Sequence, residues 1–125
     1  MKVLILDRQG NIEVTDINCR PVGVEVASWN IVGESLTLDI TNKEHTMRCF
    51  YDAVFGWDIT DENELKKYVN PYVNSIFDTV TTFYNTVVIV GIRHGKYCDI
   101  RKKDIDYIKE VIDREKNNRE SSETV

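Results

Sequence analysis

The sequence has little of what usually staples a small protein together. Its three cysteines, Cys19, Cys49 and Cys98, are odd in number and widely spaced. That excludes a disulfide framework and makes a cytoplasmic protein with reduced thiols the expectation. Proline and histidine occur twice each, and the six glycines are scattered, so no glycine-rich phosphate loop is present. No apolar run approaches the length of a membrane span. The opening MKVLILDRQG has too short an apolar stretch for a signal peptide and no small-residue cleavage site. No membrane association is expected. With 16 Lys and Arg against 21 Asp and Glu, the formal net charge is −5. The broad basic face that general nucleic-acid affinity requires is missing.

What is present points to a sheet. The chain carries 13 Ile and 15 Val against 5 Leu and 2 Ala, and β-branched residues fit a pleated surface better than a helix. Ten Asn, with many Ile, Lys and Tyr, follow the pattern of an AT-rich genome such as that of a phage or other mobile element. A length of 125 residues corresponds to one domain able to bury a core without disulfides or metal.

Along the chain, MKVLILD, a turn at RQGN and IEVTDI read as an opening hairpin. PVGVEVASW alternates through Val22, Val24 and Val26 and reads as a further strand. SLTLDI and TMRCFY flank a turn at TNKEH. From Thr60 or Asp61, which can cap a helix, apolar residues recur at helical spacing for five turns: Leu65, Tyr68, Val69, Tyr72, Val73, Ile76, Phe77, Val80 and Phe83. Pro71 interrupts that pattern. Either the helix kinks there, or Asn70 caps a second helix with Pro71 at its first position. DTVTTF has strand propensity, so residues 78–84 are open between helix and strand. TVVIVGIR is a strand, His94-Gly95 a two-residue turn, KYCDI its return, and RKKDIDYIKEVIDREK an amphipathic helix. The expectation is an α+β fold, an antiparallel sheet of about five to seven strands with two or three helices on one face, forming a single domain over 1–116. NNRESSETV, residues 117–125, is expected to be a polar, disordered tail. Exposed edges of so small a sheet would favour a homodimer.

Four constellations invite a chemical reading. Arg93-His94-Gly95 at the end of a strand resembles the signature of the histidine phosphatases, in which the His takes a phosphoryl group and the Arg holds it. That family places a second catalytic His and a second Arg well downstream. Residues 96–125 contain no histidine, and Lys96 follows where the family continues with Glu, Gln or Thr. The trio therefore reads as a hairpin turn, in which glycine adopts positive φ freely and histidine tolerates it.

HTMRC and HGKYC repeat His-x-x-x-Cys within a faint strand-turn-strand-helix duplication. Together His45, Cys49, His94 and Cys98 are of the types that bind zinc tetrahedrally, the one cofactor the sequence brings into view. Residues four apart on a strand lie about 13 Å apart, however, so each pair would need a turn between its members. Cys19, beside Arg20, is the thiol whose neighbour most favours the thiolate.

A basic island, Arg93, Lys96, Arg101 and Lys102 with Lys103, stands against Asp99 alone and would suit a phosphate-bearing ligand such as a nucleotide. FYDAVFGW joins the sheet half to the helical half and brings Tyr51, Phe55 and Trp57 into one short, acid-flanked stretch. Aromatics of that kind are enriched at protein interfaces. With no assembled catalytic set, the sequence favours a non-enzymatic binding protein, an inhibitor or adaptor acting on a protein partner. The alternative is a binder of a small phosphate-bearing ligand.

Overall fold

A computed structural model describes residues 1–33 and 37–123. The longest apolar run, VVIVGIR, forms β5 (Val87–Arg93). Its first five residues are buried, Val87, Ile89 and Gly91 alternating with Val88 and Val90 between the two faces. A strand buried on both sides reads as a continuous apolar run rather than an alternation, and it belongs in the middle of a sheet. β5 is the central strand, flanked by β1 (Lys2–Leu6) and β4 (Met47–Asp52). β2 (Ile12–Asp16) and β3 (Thr37–Asn42) are the outer strands. The order is β2-β1-β5-β4-β3, every pairing is antiparallel, and β6 (Lys96–Cys98) returns on β5 through the His94-Gly95 turn. Among the described residues the sheet thus has six strands, and the α+β antiparallel architecture is as the composition leads one to expect. The turn has φ of 53° at His94 and 74° at Gly95, the paired left-handed residues of a two-residue hairpin.

The helices divide between the two faces. α3 (Tyr72–Phe77) and α4 (Lys102–Glu123) cover one, where Leu4, Leu6, Met47, Cys49 and Ile89 pack against Val73, Ile76, Ile108 and Val111. On the opposite face Val3, Phe50, Val88 and Val90 pack against Val24 of α1 (Val24–Val32). The helices are therefore not confined to one face, because α1 occupies residues that the valine alternation assigns to a strand. The alternation has no consequence for burial: Val22 is 91% and Val26 62% exposed. The buried pair is Val24 and Ser28, four apart, the period of a helix seated on a sheet. Packing outweighs the β propensity of the valines.

The five-turn helix is also divided. α2 (Glu62–Lys66) starts at Asp61, whose Oδ1 accepts from the Asn63 amide at 2.9 Å, and it ends before Asn70. The pattern divides at Pro71 rather than kinking through it: Pro71 stands at the N-cap of α3, one residue before its first turn rather than within it, and Asn70 Oδ1 accepts from the Tyr72 amide at 3.2 Å. The fully buried Asn70 also donates its side-chain amide to Asn85 O and its backbone N–H to Phe83 O, at 2.9 and 2.7 Å. α3 stops at Asp78, which has φ of 50°. Residues 79–86 form neither a helix nor a named strand, and a single bridge joins Tyr84 to Val69. Phe83 drops into the core while Val80 faces solvent, an outcome no helix through both positions would give.

α4 continues through Glu123, past the point where the polar tail is expected to begin. No Gly or Pro follows Gly95 to stop it. Glu115 accepts from the Ser75 hydroxyl at 3.2 Å, and Lys116 lies over Gly10 of the β1–β2 turn. None of the described helices is long and apolar enough to cross a membrane.

Candidate functional site

The link between β4 and α2 is built as a tight surface turn. Asp52 Oδ1 accepts from the Val54 amide at 3.0 Å, Trp57 N–H donates to Val54 O and Ile59 N–H to Gly56 O. Gly56 has φ of 87°, and a Cβ there would lie 2.6 Å from Leu65 Cδ1. Glycine takes that φ without strain and leaves room for the Leu65 side chain. Phe55 is consequently wedged between Tyr68 and Tyr84, with ring centroids at 5.4 and 5.5 Å. The Arg8 guanidinium sits 5.1 Å from the Tyr68 ring centroid and donates to Asn85 Oδ1.

The three aromatics of this stretch have different environments. Tyr51 meets Phe83 edge-on at 4.6 Å and belongs to the margin of the core. Burial, foremost, pushes its hydroxyl pKa up. Phe55 is half-buried, and Trp57 is 77% exposed. Tyr84, the ring partner of Phe55, walls a groove of about 430 Å³ together with Leu65 and Val69, with Glu62, Lys66 and Thr82 also lining it. Leu65, Tyr68 and Val69 were legible only as core-facing helix positions. Tyr84 lies in the stretch whose period is ambiguous. Their assembly into one surface depends on the break at Asn70.

The His-Cys quartet is dispersed. His45 lies in the β3–β4 turn, stacked on Tyr107 of α4 at 3.8 Å. Cys49 is fully buried under α3 and α4, His94 is at the exposed β5–β6 turn, and Cys98 is half-buried opposite Gly91. Among the described residues no three His, Cys, Asp or Glu side chains converge as a metal ion requires. His45 instead faces Asp104, a fully buried carboxylate, with Nδ1 3.7 Å from Oδ1. That separation is too long for a hydrogen bond, and Asp104 Oδ1 has no hydrogen-bond partner.

The basic island is likewise split. Arg101 Nε pairs with Asp104 Oδ2 at 3.1 Å, and Nη2 donates to His45 O at 2.9 Å and to the Thr46 hydroxyl. Its guanidinium is a tie between α4 and the β3–β4 turn. Arg93 and Lys96 are exposed cross-strand partners, and Lys102 extends into solvent 4.0 Å from Asp106.

Burial, with Asp39 adding, holds the Cys49 thiol well above its ordinary value. Burial is also the first cause of the rise at Cys98, which Arg101 partly offsets. In native protein, iodoacetamide is expected to modify the half-buried Cys19 and Cys98, whereas Cys49 reacts only through unfolding. Peptide mass spectrometry of labelling between about pH 7 and 9 checks this, since the thiolate is the reactive form. Rapid native labelling of Cys49 would contradict the burial. The sign for stability follows: thiols held protonated in the fold stabilise it below the ordinary thiol pKa, and that contribution is lost as pH rises towards their folded values.

No known protein family, characterised protein or solved structure significantly matches the chain.

Proposed function

We propose that the protein acts by binding a protein partner in the cytoplasm, as an inhibitor or adaptor, and that the corner formed by Trp57, Phe55, Leu65, Val69 and Tyr84 is the contact surface. The observation that carries this reading is the 77% exposure of Trp57, two residues along a tight turn from Phe55, whose ring partner Tyr84 walls a groove with apolar sides. An indole left in water forgoes the gain of burying one of the largest apolar side chains, and tryptophan is the residue most enriched among binding hot spots. Arg101 is committed to Asp104 and the β3–β4 turn, which leaves the phosphate-ligand alternative with fewer cations.

Trp57 and Phe55 separate function from stability. Trp57→Glu is expected to leave unfolding unchanged within about 0.5 kcal/mol, as exposed substitutions do. It should abolish recovery of the partner when the protein is purified from its own cells. Phe55→Asp, which buries a charge between Tyr68 and Tyr84, is expected to cost about 2 kcal/mol or more. A benzophenone side chain at Trp57 should crosslink a discrete partner, and one at the exposed Lys109 on α4 should not. Recovery of an unchanged complex with Trp57→Glu would refute the assignment.

A further inference from the structure

The other face of the sheet carries a second concavity, made from residues with no pattern in sequence. It lies between α1, β3 and β4, has a volume of about 190 Å³, and is lined by Glu25, Trp29, Thr37, Asp39 and Phe50. Register places Asp39 opposite Phe50, so both project to the side on which α1 packs. Phe50 is 3% exposed and Trp29 42% exposed, so one ring is core and the other stands partly in water.

Both carboxylates are held by a common framework. Arg48 Nε lies 2.7 Å from Asp39 Oδ2, an ion pair without hydrogen-bond alignment. Arg48 Nη1 donates to the Tyr97 hydroxyl at 2.8 Å, and that hydroxyl donates to Glu25 Oε1 at 2.7 Å. The guanidinium carbon also stands 5.3 Å from the Tyr97 ring centroid. Burial first, then the bond to Glu25, keeps the Tyr97 hydroxyl protonated and therefore a donor. Four elements, α1, β3, β4 and β6, thus fix the orientation of two acids that would otherwise be free surface side chains.

The charge count identifies the ligand. Two carboxylates against one guanidinium leave one net negative charge at a concavity that the half-exposed Trp29, Thr37 and the buried Phe50 complete. The one guanidinium present is already paired with Asp39 and donates to Tyr97, so the net charge of the site disfavours an anion. No third His, Cys, Asp or Glu stands by to complete a metal site among the described residues. Aromatic faces with adjacent carboxylates are what stabilise a desolvated organic cation, and tryptophan is the strongest of the rings in that role. We infer that the Glu25–Trp29–Asp39–Phe50 concavity is a binding site for an organic monocation, an ammonium headgroup, separate from the Trp57 corner.

Nuclear magnetic resonance tests this directly on the whole protein. The Trp29 indole N–H resonance, assigned with Trp29→Phe, is followed during titration with choline, with n-butylammonium and with 3,3-dimethylbutan-1-ol, the uncharged carbon isostere of choline. Saturable shifts with at least one cation are expected at low-millimolar concentration, with the alcohol about tenfold weaker or more. Glu25→Gln and Asp39→Asn should each weaken binding about fivefold or more with spectral dispersion unchanged, because each brings the site to net zero charge. Preference for choline would mark a quaternary headgroup, and preference for n-butylammonium a primary amine; either agrees with the inference. Absence of a saturable shift up to about 50 mM, equal binding of the alcohol, or undiminished binding by Glu25→Gln would overturn it.

Discussion

Gly91→Ala is expected to lower the stability of the protein by about 3 kcal/mol, the upper end for overpacking a core position, although it adds a single methyl group to the most apolar strand of the chain. A Cβ at Gly91 would lie 2.6 Å from the Asp99 carbonyl oxygen and 3.0 Å from Cys98 Sγ. The carbonyl cannot retreat cheaply, because Ile100 N–H donates to Lys2 O at 3.0 Å and Lys2 N–H to Asp99 Oδ1 at 2.8 Å. These bonds tie the residues after β6 to the start of β1. On the other side Met47 stands opposite Gly91 in β4. The methyl group must push one backbone off another at the centre of the sheet. Gly95→Ala is the comparison. No atom lies within 4 Å of a Cβ there, but φ is 74°, so its cost is conformational alone, about 1 kcal/mol. Urea unfolding of the two variants gives the difference. Wild-type stability for Gly91→Ala would mean that β6 and the Asp99–Lys2 tie are not held as described. A loss of about 3 kcal/mol is a large part of the 5–15 kcal/mol available to a domain of this kind.

The second large effect is at Arg101. Its guanidinium reaches Asp104 Oδ2, His45 O and the Thr46 hydroxyl, so it joins α4 to the β3–β4 turn. Thr46 has φ of 43°, a costly conformation for a β-branched residue, and its carbonyl accepts from Ile92 N–H at 2.7 Å. The clamp thus holds a strained residue that in turn extends the hydrogen bonding of β5. Arg101→Ala should cost about 3 kcal/mol, toward the low end for breaking a buried ion pair. The low end applies because the Arg101 side chain is one-third exposed and water screens it. Arg101→Lys should recover less than half of the loss, since an ammonium offers one point of charge where the planar fork serves three acceptors. Asp104→Ala removes the partner and a favourable carboxylate in the first turn of α4, and about 2 kcal/mol is expected to go with it. Hydrogen exchange at the Ile92 amide should quicken in all three variants before global unfolding does. Full stability in Arg101→Lys would show that charge alone sufficed.

The elements legible in advance are those whose signals are local. β5 announces itself by an unbroken β-branched run, its turn by His94-Gly95, the β1–β2 hairpin by RQGN, and the start of α4 by Ile105, Ile108, Val111 and Ile112 at helical spacing. Misreadings fall where two local signals compete. Residues 22–29 offer alternating valines and a Val24–Ser28 helical pair at once, and the contacts of Val24 with Val3, Phe50 and Val88 decide between them. In residues 61–83 the apolar period runs unbroken, but the bonds of Asn70 to Phe83, Asn85 and Tyr72 break the helix.

The candidate sites follow the same division. Trp57 and Phe55 stand out within one short stretch, yet which is wall and which is surface depends on Tyr68, Tyr84 and Leu65. Arg101 reads as part of a basic island until Asp104 and His45 are seen beside it. Glu25, Asp39, Arg48 and Tyr97 share no spacing at all. By itself the sequence determined the class of the fold, the existence of its most apolar strand and its hairpin turns, because burial period and positive-φ residues act over a few neighbours. Only the tertiary structure decided the second helical layer, the division of the long apolar period and the grouping of charges into sites, because those depend on which strands lie side by side.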